Sequence, residues 1–222
     1  VEPIDTTFSL KDKIYDSLKQ AITTLNIYAD DAELRLDERR LSEKLEISRT
    51  PVREALARLE QEGLVHIVPR RGVYIVRKTK VEILEMVTVW AALESMAARL
   101  ICENAGDDEI ASLRKMFSTF EGDQVQAHID EYSETNIEFH QAILSLSHCD
   151  LLRDIADNLF IHMRSIRART ISDGDRADRS IIDHMHIIEA LENRDSDLAA
   201  RLVREHSLNL AAHIEKHVDY LE

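Results

Sequence analysis

This 222-residue chain predicts a mainly α-helical fold: a small three-helix unit ending in a β-hairpin, then an all-α bundle of about six helices. Three observations carry that reading. Apolar residues recur at helical spacing along most of the chain. β-Branched runs flank a turn sequence only around Pro69-Arg70-Arg71-Gly72. Glycine (5) and proline (3) are scarce, and Pro69 is the last proline, so beyond the hairpin only short polar spacers interrupt helices. A hydrophobic content of 44% with only 5% aromatic residues suits helices packed through Leu, Ile and Ala.

In chain order, Ile14, Leu18, Ile22 and Leu25 give a first amphipathic helix that closes a small core. Asp37 to Leu45 gives a short second helix with Leu41 and Leu45 inward and Arg39 outward. Glu46-Ile47 supplies the turn of a helix-turn-helix. In the third helix Val52, Ala55, Leu56 and Leu59 form the inward stripe, Ser48 is placed to cap, and Pro51 falls in the first turn, where a missing N–H costs little. Its other face carries Arg49 and Arg53, four residues apart, with Thr50 beside them. Gly63 stops this helix, and Leu64 to Val68 and Val73 to Val76 form a hairpin, the wing of a winged helix-turn-helix. A helix with a buried rear and two guanidinium groups at its N-terminal end suits a DNA major groove, because arginine matches the O6/N7 edge of guanine and a helix N-terminus favours phosphate. Arg70 and Arg71 at the wing tip are placed to meet phosphates. Taken alone, the third helix also reads as an ordinary amphipathic helix with solvated arginines.

With these residues in place, residues from about 8 to 77 resemble the DNA-binding domain of the GntR family of bacterial transcription regulators. The segment Leu45 to Leu56, the run Glu62-Gly63-Leu64-Val65 and the Pro-Arg-Arg-Gly wing carry the resemblance. It implies that Arg39, Ser48, Arg49, Thr50 and Arg53 contact DNA and that Gly72 sits at a wing tip approaching the minor groove. Two departures stand out. Glu46 replaces the family's usual glycine between the helices, at a cost on the order of 1 kcal/mol for a left-handed residue. Tyr28 to Glu33 lacks the usual Pro-Gly turn.

Charge divides the chain near the same place. Residues 1–80 hold 15 Lys+Arg against 14 Asp+Glu, and residues 81–222 hold 13 against 28. An acidic chain of net charge −14 therefore still contains a near-neutral unit able to bind DNA, with the acidic part kept off it by repulsion. The expected domains are 1–78, DNA-binding, and 79–222, effector-binding and dimerising. Two distant cysteines, Cys102 and Cys149, fit a reducing cytoplasm. With no charged-then-apolar leader and no apolar run of 18 residues, neither export nor membrane insertion is expected; a chain starting at Val1 suggests a trimmed or processed N-terminus.

The helices expected in the second domain span 80–105, 107–120, 124–147, 150–169, 176–193 and 195–220, with boundaries near Gly106, Gly122 and Gly174. Nine of the ten histidines lie here. Asn136 and His140 share a face with Ile143 and Leu144; His184 shares one with Ile181, Ile188 and Leu191; His206 lies with Leu202 and Leu210. His186 faces outward beside Glu189, and His213 and His217 read as a solvated pair. Spacing leaves two readings open: separately satisfied histidines, or three imidazoles and an amide converging on a borderline divalent metal. His162, on the stripe Ile155, Leu159, Ile166, points inward, either as pocket lining or as core.

This second part resembles the all-helical FCD effector domain of the FadR subfamily, through Asn136-Ile137-Glu138-Phe139-His140, then His184, Ile187 and Ala190, then His206. The resemblance implies a divalent metal (zinc, nickel or manganese) on Asn136, His140, His184 and His206, with an effector acid completing the coordination. Asn136 stands where aspartate is usual, and Trp90 where many relatives carry an arginine that is a candidate partner for a ligand carboxylate; Arg164 or Arg167 is then the expected substitute. Three neutral imidazoles and an amide leave the ion's +2 charge uncompensated, which favours a carboxylate. The resulting expectation is a cytoplasmic, homodimeric regulator that binds double-stranded operator DNA under control of a small organic acid. The alternatives are a metal-dependent hydrolase and a regulator whose signal is the ion itself.

Overall fold

Residues 10–120 and 128–221 are described in the computed structural model, and the chain separates between Arg77 and Lys78 into two units. In the first, α1 (Leu10–Thr24) buries Ile14, Leu18 and Ile22 as its periodicity requires, and Tyr15 with them. Leu25 lies past the end of α1 and is half-buried; the sequence-predicted core position passes instead to Ile27 and Tyr28 in the following loop. That loop lacks a Pro-Gly turn but is closed by other means. Ala29 and Ala32 donate back to the carbonyls of Asn26 and Ala29, and the Arg77 guanidinium donates to the carbonyls of Ile27 (2.7 Å) and Ala29 (2.8 Å).

The strand β1 (Arg35–Leu36) leads into α2 (Glu38–Lys44), capped by Asp37, whose carboxylate accepts from the N–H groups of Arg40 (3.0 Å) and Arg39 (2.8 Å). These bonds favour the ionised form and hold the Asp37 carboxyl below its ordinary range. Leu45 corrects the sequence reading: it is the C-cap of α2 and exposed, because a seven-residue helix ends before that position can turn inward. Glu46 then takes the left-handed conformation (φ 55°), and the Ile47 and Glu46 N–H groups return to the carbonyls of Ser42 (3.1 Å) and Glu43 (3.3 Å). This is a Schellman closure with glutamate in the glycine position.

Helix α3 (Arg49–Gln61) buries Val52, Ala55, Leu56 and Leu59 against α1. Ser48 is its N-cap residue, but its side chain makes no capping bond. Counting from Ser48, the third helical residue is Pro51, which has no N–H for that hydroxyl to receive. Gly63 (φ 73°) closes the helix, with the Leu64 N–H on the Leu59 carbonyl at 3.0 Å. The strands β2 (Val65–Val68) and β3 (Gly72–Ile75) pair antiparallel, Val68 opposite Gly72, and β1 joins the other edge of β3. The wing tip is therefore Pro69-Arg70-Arg71. Gly72 is the first strand residue rather than the tip.

Six helices are described in the second unit: α4 (Lys80–Asn104), α5 (Asp107–Met116), α6 (Ile129–Leu146), α7 (Asp150–Thr170), α8 (Arg176–Glu192) and α9 (Ser196–His217). Their ends lie within a few residues of those expected; the boundary at Gly122 and the start of the third helix at 124 fall outside the described residues. Helix α4 begins with a reciprocal capping box between Thr79 and Glu82. It packs against α9, where the Ser95 hydroxyl donates to the Ala200 carbonyl (2.9 Å), and also touches α6, α7 and α8. The turn between α8 and α9 needs a left-handed residue and has Arg194 (φ 56°), whose guanidinium donates to the carbonyls of Ile101, Cys102 and Ala105 at the end of α4 (3.2, 3.2 and 2.7 Å). A cation thereby closes the negative end of the longest helix. No described helix is long and apolar enough to cross a membrane.

Glycine adopts a positive φ without a Cβ clash, so Glu46→Gly is expected to stabilise the first unit by about 1 kcal/mol. Urea unfolding followed by circular dichroism measures it; a lower midpoint would show that the glutamate side chain matters more than its backbone.

Candidate functional site

Two sets of residues were singled out from the sequence, one in each unit. In the first unit, the α3 arginines converge on Glu38 of α2: Arg53 Nε is 2.7 Å and Arg49 3.7 Å from Glu38 Oε2. Arg39 is exposed and paired with Glu43, and Ser48 and Thr50 are exposed beside Arg49. An open groove joins this face to the wing, with Arg70 and Arg71 along its other side. Arg35, not singled out from the sequence, also lines it. The φ of Gly72 (128°) favours glycine, and a Cβ there would stand 3.2 Å from Arg35 Nε, so a larger residue would also have to shift the arginine side chain.

In the second unit, His140 of α6, His184 of α8 and His206 of α9 are buried and meet: one ring nitrogen from each lies within 4.8 Å of the others. The Nε2 atoms of His184 and His206 are 3.2 Å apart, and His140 Nε2 has no partner. Each opposite nitrogen is engaged. His140 Nδ1 is 2.5 Å from Glu94 Oε1, His206 Nδ1 is 3.0 Å from Asp183 Oδ2, and His184 Nδ1 is 3.4 Å from the Tyr132 hydroxyl. A Nδ1–H donated outward leaves an Nε2 lone pair pointing inward, the tautomer that metal-binding imidazoles adopt. Burial holds His140 and His184 well below the ordinary histidine range, followed by Arg167 for His140 and by the two neighbouring imidazoles for His184; burial lowers His206 as well, against the pull of Asp183. Three uncharged nitrogen donors are thus available at neutral pH. Asn136, one turn before His140, is buried in the wall of the adjoining cavity, with its Oδ1 3.5 Å from Ser180 Oγ.

Glu94 was missed. Fully buried on α4, it holds His140 with one oxygen and accepts from Ser207 Oγ (2.6 Å) with the other, and Arg167 lies 3.9 Å away. Burial pushes its carboxyl up, against Arg167, which pulls it down. A signal existed: Ile83, Val87, Trp90, Ala91, Ala97, Ala98 and Ile101 are the inward stripe of α4, and Glu94 is the one acid among them. Glu94 and Asp183 also correct the charge argument, since two carboxylates stand one imidazole behind the centre and Arg167 offsets Glu94.

Of the residues expected to meet an effector, Arg167 lines a cavity of about 400 Å³ that opens beside His206 and Asn136. Arg164 does not; it lies on Glu134, with both carboxylate oxygens within 3.0 Å. Nor does His162, which is buried near Lys78 and Glu82 at the start of α4. Its predicted neighbour Ile155 is exposed, so the inward stripe runs through Leu152 and Ala156 instead. His213 is not freely solvated: it lies 2.9 Å from Asp173 and, with His217, lines the cavity mouth. His186 is exposed, as is Glu138.

Residues 10–75 match the family model described as bacterial regulatory proteins, gntR family, and residues 85–209 match the FCD domain. The chain belongs to the GntR family. It is 32% identical over 187 residues to the Nta operon transcriptional regulator of Aminobacter aminovorans, spanning 84% of both proteins. It is 25% identical over 171 residues to the HTH-type transcriptional repressor RspR of Escherichia coli strain K12, spanning 77% of this chain and 75% of that protein. The solved structure titled "E. coli McbR/YncC" shares the fold, with a TM-score of 0.76 over 96% of this chain and 100% of that one at 23% identity. This GntR-family chain is thus a transcription regulator with a winged helix-turn-helix and an FCD domain, and the hydrolase reading of its histidines is set aside.

Burial lowers His162 to about 4, so the folded chain keeps it neutral where an unfolded histidine, near 6.5, takes up a proton. Its contribution is complete above pH 6.5 and lost as the pH falls toward 4. Relative to His162→Gln, the regulator is expected to lose about 2 kcal/mol between pH 7 and pH 5, by chemical denaturation at each pH. A difference independent of pH would mean that His162 takes up its proton in the fold as readily as in the unfolded chain.

Proposed function

We propose that this regulator is a homodimer of the FadR type, whose operator affinity is set by a small organic acid bound at a divalent metal on His140, His184, His206 and Asn136. The observation that carries the reading is the convergence of one ring nitrogen from each of three buried histidines, with His140 Nε2 unpartnered and every Nδ1 engaged from behind. Three imidazoles and an amide oxygen fit a borderline ion such as zinc, nickel or manganese. The ion would polarise and anchor a ligand oxygen. The chain's own residues do the rest: Glu94, Asp183 and Tyr132 hold the ring orientations, and Arg167 offers a guanidinium to an acid in the cavity. A space of about 400 Å³ next to the histidines favours an effector over the ion alone as signal. Binding there ties α6, α8 and α9 together, the differential interaction a ligand needs to shift a population.

The exposed Val81, Val89 and Met96, spaced about two turns apart on α4, form an apolar stripe that supports pairing of two copies, as do Leu151 and Ile155 on α7. A two-fold pair presents two recognition helices and calls for an inverted-repeat operator.

Arg53→Ala is expected to weaken operator binding by roughly 1–3 kcal/mol and relax one base position, while Arg70→Ala weakens all sequences evenly. Fluorescence anisotropy against operator and scrambled duplexes reads both; unchanged affinity after Arg49→Ala with Arg53→Ala would remove the α3 face from recognition. For the centre, elemental analysis should find stoichiometric metal in the wild type and none in His184→Ala/His206→Ala. Glu94→Gln should weaken metal retention by about 10–100-fold, the usual scale for losing a carboxylate behind a ligand. Full retention in the double variant would refute the metal assignment.

A further inference from the structure

The cavity that reaches the three-histidine centre at His206 is more cationic than one carboxylate requires. Arg167, Arg176, Arg179 and Lys216 line it against the single carboxylate of Asp183, which is already engaged by His206. This happens within residues 81–222, where acids outnumber bases 28 to 13. Two of these cations are incompletely paired. Arg167 is 4% exposed, and after its contacts to Ser207 and Glu94 its Nε–H still has no acceptor. Arg176 Nε is likewise buried with no partner. Arg179 differs, being exposed and paired with Asp175 at 2.8 Å. Arg176 and Arg179 also stand in the first turn of α8, where the helix macrodipole disfavours cations, so a bound anion there relieves a cost built into the fold.

We infer that the effector is a dicarboxylic acid, with one carboxylate at the three-histidine centre beside Arg167 and the second on Arg176 at the start of α8. The inference rests on the proposed reading of that centre as the effector site. A guanidinium takes a carboxylate side-on through Nε and one Nη, the arrangement that satisfies an orphaned Nε–H. Two such groups line one cavity, each lacking an acceptor for the same atom. Burial lowers Arg176 only to about 10, so it remains charged at neutral pH. A monocarboxylate would satisfy the centre and leave the buried Arg176 Nε–H without an acceptor, a penalty that a diacid of suitable length removes.

Calorimetry on the full chain loaded with Zn²⁺ tests this, using butyrate against succinate, glutarate and adipate, on wild type and Arg176→Gln. At least one diacid should bind the wild type about tenfold or more tightly than butyrate, the scale of one charge-assisted hydrogen bond. Arg176→Gln should abolish that advantage while leaving butyrate affinity and zinc content unchanged; the unchanged zinc content shows that the variant is folded. If butyrate binds in a zinc-dependent way but no diacid gains, or if the gain survives Arg176→Gln, the second subsite is overturned and the centre stands. If no acid binds the zinc-loaded chain, the centre itself is wrong as an effector site, and the subsite falls with it.

Discussion

Glu94 is a fully buried carboxylate on the central helix, and the second unit is organised around what that group needs. A buried charge is tolerated only when hydrogen-bonded and paired, and each of its partners comes from a different helix: His140 from α6, Arg167 from α7, Ser207 from α9. Satisfying one side chain therefore fixes three helices relative to α4. The same contact engages His140 Nδ1 and leaves its buried Nε2 without a partner, next to the rings of the other two imidazoles. Core packing and site geometry share this interaction, and loss of Glu94 would disturb both.

The remaining orientation follows the same pattern at lower cost. Asp183 and Tyr132 each hold one ring nitrogen from behind, and burial keeps the imidazoles uncharged. Neutral donors, aimed by groups outside the centre, need little rearrangement to meet a cation. Arg167 belongs to both sides of the site: it offsets Glu94 in the core and lines the cavity in which an acid would lie. The partner of the core carboxylate is thus also the candidate partner of the ligand.

Elsewhere the chain reaches family geometry with unusual residues. Left-handed turns that glycine commonly makes are made by Glu46 and Arg194. Arg194 offsets its backbone strain by closing the end of α4, and Arg77 holds a loop that lacks a Pro-Gly turn. With Arg194 and Arg77 a long cationic side chain reaches backbone carbonyls left open by local sequence, which is how a fold persists through substitutions that break its motif.

Sequence alone determined the helices, the hairpin, the α3 arginine face and the three inward histidines, because each depends on a period of two or 3.6 residues within one segment. Gly63 was legible in the same way, as local backbone chemistry, whereas Asp37, read as part of the second helix, proved to be its cap. Periodicity does not say which helices meet or what a given side chain finds there. Glu94 was overlooked because an acid on an apolar stripe is costly until its partners, 46, 73 and 113 residues away, are known. Arg164 and Arg167, three residues apart on one helix, were indistinguishable in sequence; the tertiary structure sends the first to Glu134 and the second into the cavity. Ser48 failed as a cap through Pro51, a conflict visible in sequence once the helix start is known to a single residue. Only the folded chain decides such matters, since burial and pairing are properties of neighbours brought together across the chain.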